Sequence, residues 1–180
     1  MEEELWEPPV TIGEESMEQE VHIKPELGHL VPNFTLKSTD GKMISIWDYK
    51  ERKNLILLFF NPENSDDLEA LAEIRRRYSE IADENAEVLA IGSGPTEEVN
   101  ECAASLNLPF PLMSDESGEV NRHYNVTMSS IFVVDKFGSL RMQSPISGDL
   151  DTTLNSAIST LDLVELECPE CGVPTWPQEL

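Results

Sequence analysis

The side chains of this chain that could do chemistry are a few thiols, carboxylates and imidazoles, and they are scattered. Its 180 residues hold three cysteines, Cys102, Cys168 and Cys171. The last two form the stretch C-P-E-C-G, a spacing with three uses. A redox dithiol needs a lowered thiol pKa, supplied by a helix N-terminus or nearby cations. Here Pro174 and Pro177 prevent a new helix soon after the motif, and Glu165, Glu167 and Glu170 disfavour thiolates. As a metal knuckle the motif fares better, because Gly172 permits a tight turn around two sulfurs and the acidic neighbours favour a cation. Structural zinc takes four ligands, so the other two would come from a histidine or a second copy, making zinc a dimer staple. The third use is none: plain thiols or an incidental disulfide closing a short loop.

The other groups are weaker. Asp66-Asp67 could suggest a metal site, but adjacent carboxylates at a helix start serve as capping charges, and no neighbouring His or Cys completes a ligand set. His22, His29 and His123 are isolated, and His123, in "NRHYNV", reads as solvated near a helix end. Cys102 shares a helical face with Val99, Ala103 and Leu106, which makes it a small buried hydrophobe.

The elements that would position a nucleophile are clear. "NLILLFFNPENSDDLEALAEIRRRY" (54–78) reads as a strand covered on both faces, a polar turn and an amphipathic helix. Asn64 or Ser65 can cap that helix, whose apolar stripe is Leu68, Leu71, Ile74, Tyr78 and Ile81. The positive end of such a helix suits an anionic nucleophile. Yet no cysteine occurs between Met1 and Glu101. Around this unit lie a hairpin turning at Asp40-Gly41, a strand at 87–92, a helix capped by Thr96, a hairpin at 131–142 and a last amphipathic helix carrying Leu150, Leu154, Ala157, Ile158 and Leu161. That order predicts an α/β fold with a central mixed sheet and helices on both faces.

Three stretches carry a family resemblance. "GHLVPNFTLKSTDGKMISIWDY", "LNLPFPLMSDESGEVNRHYNV" and "SSIFVVDKFGSL" resemble, in order and spacing, motifs of the peroxiredoxins of the alkyl hydroperoxide reductase and thiol-specific antioxidant (AhpC/TSA) family, most of all its bacterioferritin-comigratory or peroxiredoxin Q branch. The resemblance implies a thioredoxin fold over residues 27–163, flanked by an acidic arm at 1–26 and a tail at 164–180 with the CPEC motif. It also implies a peroxidatic thiolate in P-x-x-x-T/S-x-x-C. Pro62 matches the proline; if Ser65 takes the Thr/Ser place, the cysteine position falls on Leu68, and without a gap it falls on Glu69. The arginine that the family places just before its "tFlID" strand is replaced by Ser129, which is not the cis-proline of thiol-disulfide reductases either. Pro62, Ser65, Leu68 and Ser129 thus outline a degenerate site.

Composition bounds the partners. The chain is 39% hydrophobic and 26% charged, ordinary for a globular protein, but its net charge is −23. All 12 Lys and Arg lie between Lys24 and Arg141, so both ends carry only acidic charge. Such a surface repels nucleic acid and anionic lipid. No run approaches a membrane span, and "MEEELWEPPV" is acidic where a signal peptide would be basic, so the cytoplasm is expected. Few cysteines agree with a reducing compartment. The expectation is a redoxin-like pseudoenzyme without peroxidase activity, acting as a binding or scaffold module for a protein partner or a second copy, with Trp6, Val10 and Trp176 as anchors in its arms. The alternatives are a thiol-disulfide oxidoreductase using Cys168 and Cys171, or a zinc-linked dimer.

Overall fold

The computed structural model describes residues 24–146 and 149–167. The readings placed on Trp6, Val10, His22, Cys168, Cys171 and Trp176 lie outside them.

The continuous apolar run at 54–60 becomes β3 (Asn54–Phe60), buried over its whole length at the centre of a five-stranded sheet. It pairs in parallel with β4 (Ala86–Ser93) and antiparallel with β6 (Ser130–Val134). The edges are β5 (Leu112–Asp115), parallel to β4, and β7 (Leu140–Pro145), antiparallel to β6. A short hairpin of β1 (Thr35–Lys37) and β2 (Met43–Ser45) turns at Asp40-Gly41 and reaches β5 through the Ser38–Met113 bridge.

Alternation along β3 divides the core in two. Ile56, Leu58 and Phe60 face α1 (Ser65–Arg76), α2 (Tyr78–Asp83), α3 (Thr96–Leu106) and α5 (Leu150–Leu166), meeting Leu71, Ile81, Val99 and Leu161. Leu55, Leu57 and Phe59 face Phe34, Ile46 and the short α4 (Glu119–His123), where Tyr124 packs edge-on against Phe132. Helices thus cover both faces, the longer ones together on one. Among the described residues, no helix is long and apolar enough to cross a membrane. Gly92 on β4 allows the tightest approach: a Cβ there would stand 2.7 Å from Val99 Cγ2 and 2.9 Å from Phe60 Cζ.

Four expectations change. The stripe from Leu68 to Ile81 is two helices, broken at Arg77 (φ −98, ψ 9) although its backbone N–H still donates to Glu73 O and its carbonyl still accepts from Ile81 N. Thr96 does not cap α3. Pro95 holds the cap with φ −60, and the Thr96 hydroxyl donates instead to Glu116 Oε2 at 3.0 Å. His123 is half-buried rather than solvated, because Tyr124 beside it sits in the core and draws the end of α4 inward. β5 and α4 had no periodic signal: four-residue "LMSD" is made a strand by β4 and the hairpin on either side of it.

Candidate functional site

At the end of the sheet where β3 stops, the chain folds into a compact polar turn. Asn61 Oδ1 accepts from Glu63 N at 2.9 Å, and Asn61 O accepts from Asn64 N at 3.0 Å, which closes the turn around half-buried Pro62. Asn64 then caps α1, its Oδ1 accepting from Asp66 N at 2.9 Å. Ser65, first residue of the helix, is exposed. Leu68 lies half-buried on the core face, and Glu69 is exposed.

Asp67 behaves unlike its neighbour. Asp66 is exposed, whereas Asp67 is 2% exposed and turns back toward the strand end. Its Oδ2 accepts from Asn61 N at 2.8 Å and from the hydroxyl of Ser129. The carboxylate sits in the first turn of α1, where the helix dipole favours negative charge, and it satisfies a backbone donor leaving the sheet. It also ties α1 to the entry of β6. Ser129 is anchored on its other side, its carbonyl accepting from Ile146 N at 2.8 Å.

Two clefts meet along Asn64, Met128 and Ser129. One, about 570 Å³, runs over Phe59 and Phe60 toward Asp115 and Glu116. The other, about 510 Å³, is walled by Asp66, Asp67, Glu69, Ile146 and Leu150. Asp115 is spoken for, accepting from Asn121 N at 2.8 Å and Asn121 Nδ2 at 2.7 Å, so Asp66, Glu69 and Glu116 are the carboxylates offered outward. Among the described residues, neither lining contains Cys, Lys, Arg or His. Such a lining disfavours a thiolate or a peroxide anion and favours a cation. No three His, Cys, Asp or Glu among the described residues gather as metal ligands. Cys102 lies elsewhere, 6% exposed on α3, and burial raises its pKa so that it stays a protonated thiol.

Of the residues singled out in the sequence, Pro62, Ser65 and Ser129 come together at this end and Leu68 faces the core beneath. The residue that joins them is Asp67, for which the sequence suggests no more than a capping charge. Asp67 falls on the helical face of Leu71 and Ile74, but its partner Ser129 lies 62 positions away in the sequence.

The profile of the AhpC/TSA family matches residues 27–143. The chain is 25% identical over 130 residues to chloroplastic peroxiredoxin Q of Gentiana triflora, an alignment covering 68% of this chain and 60% of that protein. It is 28% identical over 125 residues to alkyl hydroperoxide reductase E of Mycobacterium tuberculosis, covering 64% of this chain and 82% of that one. The chain spans between about half and three-fifths of the length of the plant relatives it matches. In fold it is similar to the crystal structure of peroxidoxin BcpB from Mycobacterium tuberculosis, with a TM-score of 0.72 at 18% identity over 78% of this chain and 98% of that one.

Proposed function

The chain belongs to the AhpC/TSA family, and from that premise we propose that it is a redoxin-like binding or scaffold module without peroxidase activity, holding a cationic protein segment in its acidic clefts. One observation carries the reading. At the turn where the family resemblance implies a low-pKa thiolate beside an arginine, this chain has a buried Asp67 hydrogen-bonded by Ser129. Reduction of a peroxide by a thiol needs the thiolate as nucleophile and a positive group to hold the peroxide. The cleft linings offer neither and present carboxylates instead. An acidic, few-cysteine chain of this kind suits the cytoplasm.

The alternative moves thiol chemistry to Cys168 and Cys171, and geometry speaks against its doing so at these clefts within one chain. α5 starts at Leu150, on the second cleft, and ends at Leu166. Its sixteen steps at about 1.5 Å each carry the chain about 24 Å away. From Leu166 to Cys171, five residues reach about 17 Å even fully extended.

The test is a titration with a labelled lysine-rich peptide at two salt concentrations. Asp66→Asn/Glu69→Gln/Glu116→Gln should weaken binding about fivefold or more, while Glu26→Gln/Glu101→Gln/Asp162→Asn, of equal charge change but outside the clefts, should change it less than about twofold. Equal losses in the two triple variants would make the attraction a property of net charge and sink the proposal.

A further inference from the structure

The two clefts share a ridge whose apolar character charge alone does not explain. Met128 lines both of them and is 58% exposed, between the polar side chains of Asn64 and Ser129. An exposed methionine is a flexible, polarizable surface that adapts to apolar side chains of varied shape. In the second cleft Met128 is joined by half-buried Ile146 and Leu150, while α1 supplies the carboxylates of Asp66 and Glu69. That cleft is therefore apolar on one side and acidic on the other. Its charge is also unbalanced. Among the described residues no ion pair involves Asp66, Glu69 or Glu116, whereas at the opposite end of the sheet Lys136 pairs with Glu165, Lys53 with Glu87, and Arg141 with both Asp135 and Glu167.

The first cleft runs across the strand ends. Met128 stands just before β6 and Glu116 just after β5, at the same end of the sheet. In the order β5-β4-β3-β6 three interstrand spacings separate them, about 14 Å at about 4.8 Å each. An extended chain covers that distance in about four residues. Neighbouring residues of an extended chain point to opposite sides, so the residue beside one seated on Met128 turns toward α1. We infer that the partner of these clefts is an extended protein segment that is both cationic and amphipathic. One apolar side chain rests on Met128, a Lys or Arg next to it meets Asp66 and Glu69, and a second Lys or Arg about four residues along on the other side meets Glu116. The inference rests on the cationic-segment reading above and adds a spacing to it. Two cations satisfy the charge; the apolar residue between them sets the register. The pattern reads in either chain direction, as K-L-S-S-S-K or K-S-S-S-L-K.

The experiment titrates the full chain, at low salt, with labelled Gly/Ser peptides of equal length carrying K-L-S-S-S-K, K-S-S-S-L-K, K-S-S-S-S-K or K-L-S-K, all of the same charge. At least one of the two patterned peptides should bind about fivefold or more tighter than K-S-S-S-S-K and than K-L-S-K, the gain expected from covering one leucine side chain. In Met128→Ser the four peptides should bind alike, with thermal unfolding unchanged because the side chain replaced is exposed. Four peptides bound alike by the native chain, yet all weakened by Asp66→Asn/Glu69→Gln/Glu116→Gln, would overturn the inference and leave the cationic-segment reading standing. A leucine gain that survives Met128→Ser, or that K-L-S-K shares, overturns the inference as well. Binding of none of the four overturns both.

Discussion

The two ends of the central sheet solve the same problem, how to finish a buried strand among polar groups, in opposite ways. Where β3 starts, Asn54 is fully buried: its Nδ2 donates to Glu165 Oε1 at 2.6 Å and its Oδ1 accepts from Lys136 N at 2.9 Å. The charges around it are matched, so this end knits α5, the β6–β7 turn and the strand into one unit. Where β3 stops, Asp67 closes the turn without any cation, and its acidic neighbours face open clefts. Charge that is matched stabilises the fold; charge left facing a cleft is available to a ligand. The difference gives one end a structural part in the fold and leaves the other for the recognition proposed above.

Substitutions can break that division or sharpen it. The largest effect is expected from Asn54→Leu, which leaves the Lys136 amide and the Glu165 carboxylate without their buried partner; urea unfolding should show a loss of about 2–4 kcal/mol, with peptide binding at the clefts unchanged. Asp67→Ala at the other end should cost less, about 1–3 kcal/mol, because Asn61 N and the Ser129 hydroxyl lie beside open clefts where water can replace the carboxylate. A larger loss at Asp67 than at Asn54 would reverse the assignment of the two ends. Gly92→Ala, under the clefts, should cost about 1–3 kcal/mol by overpacking against Val99 and Phe60.

The smallest effect is the pH dependence of the matched end. Arg141 holds the Glu167 carboxyl below its ordinary value of 4.5. A carboxylate lowered in the folded state contributes stability that is present above the unfolded value and lost as pH falls through the folded one. Glu167→Gln should therefore lie below the native chain by at most about 0.5 kcal/mol at neutral pH, since the Glu167 side chain is 54% exposed and its attraction to Arg141 is screened by solvent. Thermal unfolding from pH 7 to pH 3 should show the gap closing as the solution becomes acid; a gap that widens contradicts the ion-pair role.

Much of this was legible in the residues. The apolar run at 54–60 fixed the central strand because a segment buried on both faces leaves no polar alternation to misread. The absence of a cysteine at the following turn was equally plain. The part played by Asp67 was not legible, because one of its two partners, Ser129, is hidden by sequence distance. Thr96 misled for a related reason: a Thr at a helix start is a good cap in isolation, but here Pro95 takes the position and Glu116 the hydroxyl. Local chemistry was readable where the chain is its own environment, and unreadable where another element supplies the partner.

The central claim is tested most directly by peroxide turnover. Purified chain supplied with hydrogen peroxide or an alkyl hydroperoxide, and with dithiothreitol or thioredoxin as reductant, should consume peroxide no faster than its Cys102→Ser/Cys168→Ser/Cys171→Ser variant. Catalytic consumption well above that variant would mean that a thiol of this chain does the family's chemistry after all, and would contradict the account.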